Sequence, residues 1–140
     1  MRIATAFLSA SLLVWATGFV RANDAWFDAA QATISGQFEA FLADDPATAY
    51  SFAAPNIQSI FPTQELFMGM VATAYPQVHR ARSFSFGKAE VTGEGTIAQQ
   101  VMIVGLDGRE YEAVYTLQMQ EDGSFLITGV HLRAAQTMGA

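Results

Sequence analysis

From Asp24 the apolar residues Phe27, Ala30, Ile34, Phe38, Phe41 and Leu42 recur at steps of three and four. That spacing puts them on one stripe and predicts a helix over 24–43 with a buried side. Gly36 interrupts the stripe at a cost of about 1 kcal/mol relative to Ala, which packing can offset. Asp44-Asp45-Pro46 closes this helix and opens a second over 46–54, with Asp45 as N-cap and Pro46 at the first helical position. Tyr50 and Phe52 are its large groups, and Ala54-Pro55 stops it. A helical turn carrying Ile57, Ile60 and Phe61 follows. A third helix is expected over 63–75, with Leu66, Phe67, Met70, Val71 and Ala74 on its inner face. Pro76 ends it, because the residue before a proline avoids helical geometry.

After Arg80 the period falls to two. Phe84 and Phe86 alternate with Ser83 and Ser85, and Gly93-Glu94-Gly95 turns the chain into a second strand, Ile97 to Val104. Asp107-Gly108 is a two-residue hairpin signal. Beyond it Tyr111, Ala113, Tyr115, Leu117 and Met119 alternate with Glu110, Glu112, Val114, Thr116, Gln118 and Gln120, as on a strand with one wet face. Glu121-Asp122-Gly123 turns again into a fourth strand, Phe125 to Leu132, and a frayed tail is expected from Ala134.

Helices first and antiparallel strands second define an α+β domain. Three N-terminal helices packed on a curved four-stranded antiparallel sheet would bury every stripe at once. A sheet wrapped over the third helix would enclose a conical hollow. Gln37-Phe38-Glu39-Ala40-Phe41, Asp45, Tyr50-Ser51-Phe52-Ala53-Ala54-Pro55 and Ile57 then carry a resemblance, continued by Phe67, Met70-Val71, Tyr75-Pro76, Phe86-Gly87, Tyr115 and Asp122-Gly123. Across about residues 30–133 the chain resembles domain of unknown function 4864, a family of exported bacterial proteins. The resemblance implies no activity, since that family has no assigned reaction. The architecture is also similar to nuclear-transport-factor-like (SnoaL-like) domains, which host isomerases, dehydratases and binding modules alike.

The first residues change the picture of where the protein works. Met1-Arg2 is positive, Ile3 to Val20 carries no charge, and Val20-Arg21-Ala22 offers short residues where signal peptidase reads. This is the layout of a secretory leader over 1–22, cleaved between Ala22 and Asn23, leaving one domain over 23–140 in the periplasm or secreted. A retained membrane anchor is the alternative. Thr5, Ser9, Ser11, Thr17 and Gly18 dilute the apolar run, however, and Arg21 is a weak stop. After cleavage no membrane association is expected.

The chain's 140 residues carry a formal charge of −6, from 7 basic and 13 acidic residues. Arg2 and Arg21 leave with the leader while every acid stays, so the mature protein is more acidic still. Nucleic acid, which rewards clustered Lys and Arg, is excluded as a partner. The chain has no Cys, which excludes disulfides, thiolate catalysis and Cys-ligated metals.

The candidate chemistry is sparse. His131 lies in phase with Phe125 and Ile127 and is expected to face the hollow; His79 follows the third helix beside Arg80 and Arg82. Two separated histidines do not supply the three or four converging donors a metal needs, so no metal and no cofactor is expected. Asp44-Asp45 is a cap rather than a catalytic pair. No Gly-x-Ser-x-Gly elbow is present, and Gly93-Glu94-Gly95 lacks the third glycine of a dinucleotide loop. Counting back from the Asp122-Gly123 turn sets Tyr115 opposite Gly129 and Ala113 opposite His131, so phenol and imidazole share one face as diagonal neighbours. Tyr115 and His131 are therefore the expected lining of a small apolar pocket reached past Tyr75 or His79. A core tyrosine and a histidine satisfied by a backbone carbonyl are the competing roles.

These features lean away from catalysis, because every acid falls at a turn, a cap or a polar strand face. The expected role is an exported, non-catalytic domain that binds a small apolar ligand or an envelope protein. The alternatives are an isomerase- or lyase-like enzyme using the same hollow, and a structural subunit forming a homodimer through its exposed sheet face.

Overall fold

A computed structural model describes residues 22–135. The expected leader over 1–22 and its cleavage point between Ala22 and Asn23 therefore lie, but for the helical backbone at 22–23, outside the described residues. The elements are α1 (Ala22–Leu42), α2 (Pro46–Ser51), α3 (Pro55–Ile60), α4 (Gln64–Ala74), α5 (Pro76–His79), β1 (Ser83–Gly93), β2 (Thr96–Val104), β3 (Glu110–Met119) and β4 (Phe125–Ala134). Helices precede strands, and the four strands form one antiparallel sheet in the order β1-β2-β3-β4.

The helical layer has five segments among the described residues, not three. The turn after Pro55 closes as a helix, and Pro76 both stops α4 and opens α5 from the first helical position. Asp45 caps α2 by accepting from Thr48 N at 3.2 Å, and Thr63 caps α4 by accepting from Leu66 N at 3.2 Å. Asp44 takes a left-handed turn (φ 50°) that closes α1, a conformation Asp tolerates. The Arg80 guanidinium ties this corner to α5, donating to the Phe41 carbonyl and pairing with Asp44.

The helix lying across the sheet is α1, not the helix expected from residues 63–75; α4 packs against α2 and α5. Ala30, Ile34, Phe38 and Phe41 of α1 are buried against Ile97, Val101 and Ile103 of β2, Ala113, Tyr115 and Leu117 of β3, and Phe125 and Ile127 of β4. Phe38 stacks on Phe84 of β1 at 4.4 Å between ring centroids. Leu42, expected in the stripe, is exposed at the last turn of α1. Polar clamps fix the helix on the sheet. Thr33 Oγ1 donates to Phe125 O at 2.7 Å, and Gln31 Nε2 donates to Gln99 Oε1 at 3.0 Å.

Three register shifts break the ladders, at Phe86/Ala89 and Val91/Gly93 in β1 and at Thr116/Leu117 against β4. In β4, Leu117 pairs with Ile127 and Thr116 with Gly129, leaving Thr128 as the extra residue. Ala134, expected to begin a frayed tail, still pairs with Tyr111.

Candidate functional site

A half-open, mostly apolar hollow of about 350 Å³ lies beside the α1–sheet core. Gln37 and Phe41 of α1 form one wall, and Gly129 and Val130 of β4 another. Ile57 of α3, with Phe61 just beyond it, and Met70 of α4 bring apolar side chains from the helical layer, and Tyr75 closes the α4 end. The gap lies where α3 docks on β4 while α4 packs on α2 and α5 rather than on the strands. Asn56 holds the α3 side by donating to Thr128 O at 3.0 Å. Tyr50 Oη donates to the Phe61 carbonyl at 2.6 Å and pins the loop that carries Phe61.

Among the described residues no carboxylate, imidazole, amine or guanidinium lines the hollow, and its polar groups are Gln37 and Tyr75. Gln37 is only 4% exposed, and its Nε2 donates to the Ala49 carbonyl at 3.1 Å. Tyr75 Oη donates across the hollow to Val130 O at 3.4 Å, a long bond.

Of the four pocket residues expected from sequence, only Tyr75 lines this space. The bulge at Thr128 accounts for the largest change. It moves the register by one residue, so Val130 stands opposite Tyr115 and His131 opposite Val114. His131 thus lies on the outer face, exposed, and is not a diagonal neighbour of Tyr115. Tyr115 faces inward but sits under α1 against Phe38, with ring centroids 6.1 Å apart. It is 1% exposed and its hydroxyl has no hydrogen-bond partner among the described residues. Burial pushes that phenol far above the ordinary tyrosine range, so it stays neutral. His79 packs its ring against Phe41, with centroids 6.1 Å apart, and is not part of the lining of the hollow. Burial first, and the Arg80 charge second, hold its imidazole below the usual histidine value.

Gln37 is the site residue that the hydrophobic pattern passed over. It lies three residues after Ile34 and four before Phe41, so it is a polar side chain set inside the apolar stripe of α1. That signal was present in the spacing. The contribution of Val130 was not, because it depends on the bulge.

Among the described residues no group of three or more His, Cys, Asp or Glu could hold a metal ion, and no helix is long and apolar enough to cross a membrane. The fold and the hollow together define a small α+β domain with helices on one face of an open antiparallel sheet and an apolar recess between the layers. The chain belongs to the family described as domain of unknown function DUF4864, whose model matches residues 24–140. No curated protein and no solved structure matches the chain.

Proposed function

We propose that the protein is an exported, non-catalytic binding module that holds a small apolar molecule in the hollow between α1, α3, α4 and β4. One observation carries this reading. A recess of about 350 Å³ is walled by Phe41, Ile57, Phe61, Phe67, Met70 and Val71, with only two polar side chains among its lining. Ligand sites are typically apolar concavities with a few placed polar groups, and this volume lies at the lower end of their range. Proton transfer needs a titratable group within hydrogen-bond reach of the substrate. Among the described residues the lining offers only the Tyr75 phenol, which favours binding over isomerase or lyase chemistry. Export rests on Met1-Arg2, the uncharged Ile3 to Val20 and Ala22. Likeness to nuclear-transport-factor-like domains is proposed on architecture alone, helices covering one face of an antiparallel sheet.

The test is titration of the mature protein with the neutral dye N-phenyl-1-naphthylamine. Saturable uptake at one site is expected. Ala74→Phe, which puts a ring at the exposed rim of α4, should reduce that uptake at least tenfold with the melting temperature unchanged. Absence of saturable uptake would refute the reading.

A further inference from the structure

The Gln37 amide defines what polar group an occupant of this hollow can carry. A glutamine amide presents nitrogen on one side and oxygen on the other, and its neighbours decide which way round it lies. The Ala49 carbonyl can only accept, so Nε2 must face it, as it does at 3.1 Å. This leaves Oε1 on the opposite side. It accepts no hydrogen bond from any described residue, yet it is not among the sealed polar atoms left without a partner. With the side chain 4% exposed and lining the hollow, the open space in front of Oε1 is the hollow itself. An acceptor in apolar surroundings calls for a donor, because leaving it unmade costs the desolvation of the carbonyl.

The charge around the recess narrows the choice further. Among the described residues the lining contains no cation to pair a carboxylate or phosphate. Arg80, which lies nearby in sequence to Tyr75, is engaged by the Phe41 carbonyl and Asp44 and is not part of the lining. A carboxylate would bring two more acceptors and an unpaired charge into an apolar site, which strongly disfavours its binding. An ammonium head would meet no carboxylate there and is disfavoured for the same reason.

We infer that the hollow selects a neutral aliphatic molecule bearing one hydroxyl, which donates to Gln37 Oε1 while the alkyl portion lies against Phe41, Ile57, Phe61 and Met70. This rests on the binding function proposed above and assigns its ligand class, an alcohol rather than a fatty acid. Tyr75 acts beside it as a wall whose hydroxyl is already turned to Val130.

The experiment is displacement of N-phenyl-1-naphthylamine at pH 8 by 1-decanol, decanoate and decane-loaded micelle controls, on the native protein and on Gln37→Leu and Gln37→Glu. Decanol is expected to displace the dye at least tenfold more tightly than decanoate. The difference should shrink as the pH falls and decanoate becomes the neutral acid, which can itself donate. Gln37→Leu should lose at least fivefold in decanol affinity relative to its own affinity for the dye. Gln37→Glu, which keeps an acceptor at this position, should retain more decanol affinity than the Leu variant. Equal or tighter binding of decanoate, or a Leu variant with native decanol affinity, would overturn the inference while leaving a binding hollow intact. If the dye itself does not bind, the underlying function fails and this assignment with it. Circular dichroism melting of each variant separates loss of the hydroxyl contact from loss of fold.

Discussion

Thr128 Oγ1 lies 3.0 Å from the carbonyl of Thr116, to which it donates, and 3.1 Å from the Thr116 hydroxyl. The contact staples β3 to β4 at the point where their ladder carries one extra residue. The Thr116 hydroxyl in turn donates to Gly129 O at 3.4 Å. A Cβ on Gly129 would stand 3.1 Å from that same hydroxyl. The backbone at Gly129 is therefore pressed against Thr116 on the outer side, and its other side forms a wall of the hollow. Side-chain hydrogen bonds and a glycine together hold the bulge, and the bulge decides which residues face inward.

The first prediction follows from that face assignment. Val130 lines the hollow, whereas His131 points to solvent. His131→Asn should change stability by no more than about 0.5 kcal/mol, as for an ordinary surface position. Val130→Asn should cost about 1–2 kcal/mol by placing an amide in apolar surroundings. Urea unfolding of the two variants checks this. The reverse order of effects would place His131 inside and remove the bulge.

Gln99 is the most constrained polar residue of the sheet. It is 0% exposed. Its Nε2 lies 3.3 Å from Gly87 O, 3.3 Å from Lys88 O and 2.8 Å from Gln100 O, and its Oε1 accepts from Gln31. One side chain thus satisfies the carbonyls exposed by the β1 bulge and anchors α1. Gln99→Leu, similar in size but unable to hydrogen-bond, should destabilise by about 1–3 kcal/mol. Gln31→Leu, which removes only the helix-side donor from a half-buried position, should cost less. Denaturant midpoints with unchanged m-values would confirm that both act on the folded state.

Gly36 carries a prediction against propensity. On an open helix, Gly→Ala gains about 1 kcal/mol. Here a Cβ would lie 2.7 Å from Phe52 Cζ, inside any real contact distance, because the Phe52 ring packs on the bare backbone of α1. Gly36→Ala is expected to destabilise. In a Phe52→Leu background the same substitution should recover its helix gain, and a double-mutant cycle measures the coupling. Independent, additive effects would show that the ring does not depend on the glycine.

The order of helices and strands was legible because each element repeats its period over several residues. The α1 stripe from Ala30 to Phe41 and the alternation from Tyr111 to Met119 both fold as their spacing dictates. Pairing near the Asp122-Gly123 turn was legible too: Met119 faces Phe125 and Leu117 faces Ile127, as counting from the turn requires. Beyond those pairs the count fails, since Thr128 looks in sequence like any strand residue. A single unpaired residue there moves Val130 into the hollow and His131 out of it. The helix that covers the sheet was equally hidden, because the α1 and α4 stripes are both apolar and periodicity does not say which one reaches the strands. Tyr75, at the end of α4, and Gln37, set within the apolar stripe of α1, were readable as site residues without knowing the pairing.

The last prediction concerns Tyr115, whose hydroxyl is buried beneath α1 with no partner among the described residues. An unmade hydrogen bond of this kind costs about 1–3 kcal/mol, so Tyr115→Phe should leave stability at pH 7 unchanged or raise it by about 1 kcal/mol. The pH dependence has a definite sign. Burial raises the folded phenol's pKa well above the value near 10 that it takes in the unfolded chain. Below pH 10 both states keep the proton, and this group adds no slope. Above it the unfolded chain loses a proton that the folded one retains, so stability falls as pH rises, by about 1.4 kcal/mol per pH unit. Tyr115→Phe removes that contribution. Its advantage over the native protein should therefore widen between pH 10 and pH 11, while the two curves run parallel from pH 7 to pH 9. Urea titrations at these four values check it. A gap that stays constant through pH 11 would mean that the Tyr115 phenol ionises as readily in the folded protein as in the unfolded chain, against its burial in the core.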